Sequence, residues 1–185
     1  MENAKNVKPA GKSTVRNILE WVGVIVIAFA LSWLIRTFVI EPRYVPSGSM
    51  LPTIQLQDRL IVDKFFFKYF DELHPGDVIV FHPPSEARAS DDFIKRLIAL
   101  PGDTVEIRDH KTYINGQVLD EPYVAEPQIK TMEPAVVPEG YVFVMGDNRN
   151  NSKDSREWGF LPIDSITGRT LFRYWPFEHF GTLAR

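Results

Sequence analysis

A short segment with two serines around a glycine is the first place where this sequence offers chemistry. It reads PSGSMLPT over residues 46–53, and Pro46 and Pro52 stiffen its two ends. The glycine permits a tight turn that brings a serine hydroxyl and backbone N–H groups together. Such a group of atoms could act as a nucleophile with its oxyanion donors. The same residues also fit an ordinary linker turn.

A serine nucleophile needs a base, and a lysine serves when burial lowers its pKa, because desolvation disfavours the ammonium form. Lys95 and Arg96 stand within an apolar run, FIKRLIAL, over residues 93–100. Alternation along a strand would place them on opposite faces, so one could point inward. The alternative is a lysine that faces solvent on an edge strand. A triad with a histidine also stays open, because triads depend on geometry rather than on order. The histidines are scattered among loop or turn residues: His74, His82, His110 and His179.

A third candidate segment, GDNRNNSKDSR over residues 146–156, is dense in side chains that form hydrogen bonds. Asx turns and Asp–Arg pairs could hold such a loop rigid and let it support a neighbouring site. An ordinary polar loop is the alternative. Residues 150–152 also match a glycosylation sequon, which matters only in a eukaryotic secretory host.

The composition of the chain excludes several kinds of functional site. The 185 residues contain no cysteine, which excludes a disulfide framework, a thiolate zinc site, an iron–sulfur cluster and a cysteine nucleophile. The formal net charge of -3 shows no basic excess that would indicate nucleic acid binding. No zinc-peptidase, nucleotide-binding or EF-hand motif is present, so no metal is expected.

An apolar stretch near the N-terminus predicts a membrane anchor. Residues 18–40 would span about 35 Å as a helix, with Trp21 and Trp33 near the two ends. A cleaved signal peptide fits less well, because its small residues lie inside the apolar run. A buried core helix would show a polar stripe, which this segment lacks.

The charges around this stretch predict its orientation. Lys5, Lys8, Lys12 and Arg16 precede it, so we expect a cytoplasmic tail (1–17), an anchor (18–40) and an extracytoplasmic domain from residue 41 to 185. The first 36 residues carry a net charge of +3, which leaves -6 for the rest.

The expected extracytoplasmic part is large enough to bury one core, and short β-branched and aromatic runs recur in it between Gly, Pro and Asp. They predict a mostly β fold, an antiparallel pair of sheets or a partial barrel. Asn115-Gly116 marks a two-residue hairpin. The polar, proline-bearing segments 82–92 and 121–138 are predicted to be loops. The predicted strands are Arg59–Lys64, Asp77–Phe81, Ile94–Leu100, Thr104–Ile107, Thr112–Ile114, Gln117–Leu119, Tyr141–Met145 and Thr170–Trp175.

Two dense aromatic clusters, residues 65–70 and 174–180, have two interpretations. Packing in the core or across strands is the ordinary one. A surface that dips into the lipid interface is the alternative.

Taken together, the ordered segments resemble those of bacterial type I signal peptidases. The resemblance rests on PSGSMLPT, DRLIVDK, FIKRLIALPGD and GDNRNNSKDSREWGFLP behind an N-terminal anchor, and it covers nearly all of residues 40–177. It implies that Ser49 is the nucleophile and Lys95 the general base. The Ser47 hydroxyl and the Ser49 N–H would form the oxyanion hole.

The resemblance also implies supporting and substrate-binding residues. Ser152 would orient the lysine, and Asp154 would pair with Arg156. Shallow apolar pockets for small side chains before the cleaved bond would be lined by Val45, Met50, Ile54, Phe93 and Ile94.

Two positions depart from the family pattern. Asn150 stands where the family usually has Asp, and Phe93 stands where Tyr is frequent. A single span and a short stretch between the lysine and the last motif resemble the compact form of the family.

The implied activity is removal of signal peptides after A-x-A by a membrane-bound serine endopeptidase without metal or organic cofactor. Its partners would be secretory preproteins and the lipid bilayer, not nucleic acid, and it would act as a monomer. The plasma membrane is the expected location, with the thylakoid membrane as the alternative. A specialised Ser-Lys maturation peptidase stays open, as does an inactive tethered domain that binds preproteins. Self-cleaving repressors share the chemistry but carry a DNA-binding module instead of an anchor.

Overall fold

The computed structural model describes residues 14–87 and 91–183, and the chain divides into two compact units, Met1–Thr37 and Phe38–Arg185. The predicted cytoplasmic tail therefore lies mostly outside the described residues. Helix α1 spans Thr14–Phe38. Its apolar side chains from Ile18 to Phe38 are exposed, and its stretch Arg16–Phe38 is long and apolar enough to cross a membrane.

The helix ends slightly earlier than the apolar stretch does. Helix α1 stops at Phe38, and Ile40 already begins the first strand, where it pairs with Asp63. Apolarity alone cannot locate this boundary, because Ile40 suits a strand as well as a span.

The second unit is mostly β, as predicted. Two one-turn helices, α2 (Phe66–Tyr69) and α3 (Ser155–Trp158), accompany the strands. In chain order the strands of the described residues are β1 Ile40–Tyr44, β2 Arg59–Asp63, β3 Val78–Phe81, β4 Phe93–Ala99, β5 Thr104–Arg108, β6 Lys111–Ile114, β7 Gln117–Val118, β8 Met132–Val136, β9 Tyr141–Met145, β10 Leu161–Pro162, β11 Ile166–Trp175 and β12 Gly181–Thr182.

The strands form two antiparallel sheets. The larger sheet has the order β1-β2-β11-β3-β4-β9-β10, with β12 paired to β11, and the smaller has the order β7-β6-β5-β8. Strand β3 lies between β11 and β4, and all four of its residues are buried. Its unbroken apolar run is typical of a strand that is covered on both faces.

Alternation along β9 links the two main clusters of the core. Val142 and Val144 belong to one cluster with Phe81 of β3, whereas Phe143 and Met145 belong to a second cluster with Val105 of the smaller sheet. Successive side chains of a strand point to opposite faces, so β9 packs on both sides. A third cluster contains Val45, Met50, Ile54, Leu60 and Val78 and supports the predicted serine segment.

Turn chemistry fixes the predicted hairpin. Asn115 and Gly116 have φ angles of 52° and 78°, and the residues on either side, Ile114 and Gln117, pair across the turn. Two positive φ angles are the signature of a type I′ turn, which Asn-Gly favours.

All eight predicted strands occur, but the structure adds four that the sequence analysis missed: β1, β8, β10 and β12. Strand β8 lies inside the segment that was predicted to be a loop. It contains Glu133 and Pro134, whose types argue against a strand, and it pairs with β5 alone in the smaller sheet. Proline is tolerated on such an edge strand.

The aromatic clusters are mostly exposed rather than part of the core. In residues 65–70 only Phe67 is buried, while Phe66, Tyr69 and Phe70 are exposed. Phe177 and Phe180 of the second cluster are exposed as well. Burial in the core therefore holds only for Phe67, whereas rings of both clusters pack on neighbouring rings, as in the pairs Phe65–Tyr69, Trp175–Phe177 and Phe172–Phe180.

Candidate active site

The serine segment forms a compact turn between β1 and β2. Leu51 N donates to Gly48 O at 3.2 Å, and Ile54 N donates to Met50 O at 2.9 Å. Asn148 fixes the turn from outside, because its backbone N donates to Ser49 O and its side-chain Nδ2 donates to Gly48 O, both at 3.1 Å. The polar loop 146–156, which contains Asn148, thus holds the backbone of Gly48 and Ser49.

Lys95 of β4 contacts Ser49, although the two residues are far apart in the sequence. Its Nζ lies 2.7 Å from Ser49 Oγ in a hydrogen bond and 3.0 Å from Ile94 O, and only 4% of the residue is exposed. Burial lowers the pKa of Lys95 to about 8, although the carboxylates of Asp154 and Asp147 act to raise it. A large fraction of Lys95 is therefore a neutral amine at mildly alkaline pH, which is what a general base requires.

Ser47 and Ser49 stand side by side. Their Oγ atoms are 3.4 Å apart, and Ser47 is exposed at the mouth of the site. A hydroxyl in this place can donate to an oxygen that develops charge next to Ser49.

The polar loop is rigid and supports the site from behind. The Asp154 carboxylate is buried, accepts from Gly146 N at 3.0 Å, and accepts from Arg156 Nε and Nη2 at 2.8 and 2.7 Å. Burial alone would raise the pKa of Asp154, but the Arg156 guanidinium outweighs it and holds that pKa below its ordinary value. Asp154 also caps helix α3 by accepting from Arg156 N.

Ser152 lies in the same loop close to Ser49. Its Oγ is buried, and a side-chain hydrogen bond from Ser152 contributes to the lowered pKa of Asp154. A Cβ on Gly146 would lie 2.3 Å from that Oγ and 2.4 Å from Ser49 O, so Ser152 and Ser49 flank the same glycine. The two hydrogen bonds of Lys95 go to Ser49 and Ile94 rather than to Ser152.

A cavity of about 540 Å³ opens onto Ser49 and Lys95. Four of the five predicted substrate-binding residues line it, namely Val45, Met50, Phe93 and Ile94. The fifth, Ile54, is fully buried in the cluster with Val45 and Met50. Apolar side chains thus line the cavity together with Ser49, and Asn151 and Lys153 line it as well.

Sequence reasoning missed the ion pair next to Lys95. Arg96 is 0% exposed, and its Nε and Nη2 bind the two carboxylate oxygens of Asp147 at 2.8 and 2.7 Å. Both Lys95 and Arg96 are therefore buried, whereas strand alternation called for only one inward side chain. An arginine in an apolar strand was the available signal, because such a group needs a buried partner.

The chain is similar to known proteins over most of its length. The family described as signal peptidase, peptidase S26, matches residues 18–175. A probable signal peptidase I-1 from Synechocystis sp. is 48% identical over 90% of this chain and 87% of its own length. Thylakoidal processing peptidase 1 of Arabidopsis thaliana is 44% identical over 80% of this chain and 46% of its own.

A solved structure is similar as well. A crystal structure of a signal peptidase I from Enterococcus faecalis V583 is 37% identical, covers 53% of this chain and 96% of its own, and has a TM-score of 0.47. The family match and the Synechocystis relative both extend over most of the chain, and the chain therefore belongs to the signal peptidase family, peptidase S26.

Proposed function

We propose that this chain removes signal peptides from secretory preproteins after A-x-A sequences, with Ser49 as nucleophile and Lys95 as general base, while tethered to a membrane by α1. Family membership already makes the chain a signal peptidase of the serine endopeptidase class. The observation that carries the proposed dyad is the 2.7 Å hydrogen bond between Ser49 Oγ and the buried Lys95 Nζ.

The proposed reaction uses one base for two steps. Neutral Lys95 takes the Ser49 proton as Oγ attacks the scissile carbonyl, and the resulting ammonium protonates the leaving amine. A water molecule deprotonated by Lys95 then hydrolyses the acyl-enzyme. The buried Ser152 hydroxyl is our proposed hydrogen-bond partner for the lysine during these steps, and the Asp154–Arg156 pair would hold the loop in place.

The proposed oxyanion hole consists of the Ser47 hydroxyl and the Ser49 N–H. The 3.4 Å separation of the two serine Oγ atoms supports this assignment. One such donor contributes about 3–4 kcal/mol to transition-state stabilisation in comparable hydrolases.

Specificity for small residues follows from the wall of the cavity. Val45, Met50, Phe93 and Ile94 leave an apolar surface beside Ser49. Ile54 does not line the cavity but packs with Val45 and Met50, and we propose that it holds these two wall residues in place. Large side chains would clash with a shallow wall rather than merely bind less well.

The proposed tether has the N-terminus in the cytoplasm and the second unit on the far side of the membrane. The positive charges before the span support this orientation. One relative is named as a thylakoidal processing peptidase, so the thylakoid membrane is a candidate location beside the plasma membrane. Monomeric action remains part of the proposal.

The test is cleavage of a preprotein whose signal ends in A-x-A by detergent-solubilised enzyme, with N-terminal sequencing of the product. Wild type should cut after the last alanine, and Ser49→Ala should be inactive but folded by circular dichroism. Ser47→Ala should retain activity reduced on the order of 10²-fold, as for loss of one oxyanion donor. Ser85→Ala, an exposed serine that does not line the cavity, serves as the matched control.

Three outcomes would contradict parts of this proposal. Cleavage that survives in Ser49→Ala would place the nucleophile elsewhere. Cleavage at sites without small residues would remove the A-x-A assignment. A well-folded wild type that cuts only one dedicated substrate would favour the specialised maturation peptidase.

A further inference from the structure

A segment far from the dyad in sequence is packed against the loop that carries Asp147 and Asn148. Residues 121–129, which we call the strap, have no regular secondary structure, and most of them are exposed. Two of their side chains, those of Tyr123 and Gln128, are nevertheless buried. The strap is therefore fastened by specific side chains rather than by a backbone ladder.

The first attachment is an aromatic face. The Tyr123 ring centroid lies 3.8 Å from Arg96 Cζ and 5.9 Å from Arg149 Cζ. Arg96 is bound at its edge by Asp147 and by Gly76 O, and the Tyr123 ring covers one face of its guanidinium. Such stacking on a desolvated guanidinium is strong and depends on the orientation of the ring.

The second attachment is the ion pair between Arg149 and Glu121. Arg149 donates to both carboxylate oxygens of Glu121, at 2.8 and 2.5 Å. Thr112 Oγ1 of β6 accepts from Arg149 Nη1 at 3.1 Å and from Gln128 Nε2 at 3.0 Å. At one end of the strap Glu121 thus binds Arg149 directly. Near the other end Gln128 binds Thr112, which Arg149 also contacts.

The third attachment involves a residue that departs from the family pattern. Asn150 Oδ1 accepts from Ile129 N at 3.0 Å, and Asn150 Nδ2 donates to Pro127 O at 3.1 Å. An aspartate could accept the first bond but could not donate the second, and its carboxylate would face a carbonyl oxygen. The amide at this position fits the strap where a carboxylate would not.

These attachments converge on the neighbours of the dyad. Arg96 follows Lys95 in β4, and its partner Asp147 precedes Asn148, which holds the backbone of Ser49. We propose that the strap is a positioning element of the active site, in which Tyr123 holds Arg96 against Asp147 and Asn150 fastens the strap to the loop. This inference rests on the proposed roles of Ser49 and Lys95.

The direction of the effect on Lys95 follows from the groups around it. Burial lowers its pKa, Asp154 and Asp147 act to raise it, and Arg156 acts to lower it. A loosened strap would admit water beside β4 and would release Asp147 from Arg96. Both changes favour the ammonium form, so the pKa of Lys95 would move upward.

The test compares pH profiles of kcat/KM for the full chain in detergent, with an A-x-A preprotein as substrate. The variants are Tyr123→Leu, Tyr123→Phe and Asn150→Ala, and Glu126→Ala is the control because Glu126 is an exposed strap residue. Tyr123→Leu should raise the midpoint by about half a unit to one unit, which lowers kcat/KM below the midpoint by about threefold to tenfold. Tyr123→Phe keeps the ring face and should keep the wild-type midpoint.

Asn150→Ala tests the attachment of the same strap if Tyr123→Leu does not fold, because Asn150 is exposed and its truncation leaves the core intact. It should move the midpoint in the same direction by a smaller amount, while Glu126→Ala should not move it. Midpoints that stay at the wild-type value in both Tyr123→Leu and Asn150→Ala would overturn the proposal, whatever stability is lost.

A second readout separates this proposal from the proposed function. The rate at which Lys95 is acetylated against pH, followed by mass spectrometry, reports its pKa without any substrate. The same upward shift in Tyr123→Leu would support the strap even if wild type failed to cleave the chosen preprotein. An unshifted Lys95 together with normal cleavage by wild type would reject the strap and leave the proposed function standing.

Discussion

At the scale of single residues, the proposed active site depends on a lysine whose charged form is disfavoured by burial. Lys95 is buried next to Ser49, and desolvation lowers its pKa to about 8. Two nearby carboxylates prevent a still larger drop. The neutral amine is therefore available at mildly alkaline pH without a histidine.

We expect kcat/KM to rise with pH through about 8 and then to level off, because Lys95 must lose its proton before it can act. The measurement is kcat/KM against pH with a short A-x-A peptide, between pH 6 and the alkaline limit of stability. A rate that still climbs near the ~10.4 of free lysine would contradict a buried base.

Gly146 is a second residue on which the site depends. A Cβ at this position would lie 2.4 Å from Ser49 O and 2.3 Å from Ser152 Oγ. Gly146→Ala must therefore displace the backbone of Ser49, our proposed nucleophile, and we expect kcat/KM to fall on the order of 10²-fold. A variant that folds and cleaves like wild type would show that the loop can yield without moving Ser49.

At the scale of elements, two strands and two loops bring the site together. Strand β4 carries Lys95, and the turn after β1 carries Ser49, with the register set by β3 between β4 and β11. Strand β9 delivers the loop that starts at Gly146. Any shift of one strand by one residue would turn Lys95 away from Ser49, because side chains alternate along a strand.

Gly168 in β11 is packed closely against the neighbouring strand β2. A Cβ there would lie 2.3 Å from Val62 Cγ1 and 2.8 Å from the backbone oxygen of Asp63 in β2. Gly168→Ala should lower the free energy of unfolding by about 1–3 kcal/mol, since the Asp63 backbone cannot rotate away. Thermal melts of wild type, Gly168→Ala and the exposed Leu171→Ala would check it, and equal melting temperatures for wild type and Gly168→Ala would contradict it.

At the scale of the whole molecule, the chain combines a catalytic unit with an apolar helix that has no core of its own. The apolar side chains of α1 from Ile18 onward are exposed, whereas the described residues of the second unit form three buried clusters. This contrast is expected when a helix is stabilised by lipid rather than by protein. Enzyme and preprotein would then diffuse in one membrane, which raises their effective concentration.

The proposed tether predicts different behaviour towards two substrates. A chain that begins at residue 38 should cleave a soluble A-x-A peptide within a few-fold of the full chain, because the second unit keeps its core. On a preprotein inserted in vesicles, the full chain should be faster by about 10²-fold through effective concentration. Equal rates of the two chains on the vesicle substrate would remove the proposed role of α1.

Several features of this protein followed from the sequence alone, because they depend on local chemistry. The apolar stretch predicted α1, alternating runs predicted eight strands, and Asn115-Gly116 predicted its hairpin. The ordered motifs around Ser49 and Lys95 indicated the family, since residue types at fixed spacing are a property of the chain itself.

Only the tertiary structure decided which distant groups meet. Strand β8 and the attachments of the strap could not be predicted, because a proline-rich edge strand and a loop with two buried side chains depend on long-range partners. The sequence left open which of Lys95 and Arg96 faces inward, whereas the fold buries both and gives each its own partner, Ser49 and Asp147. Burial and partner together set the charge of a side chain, and both belong to the folded chain rather than to the order of its residues.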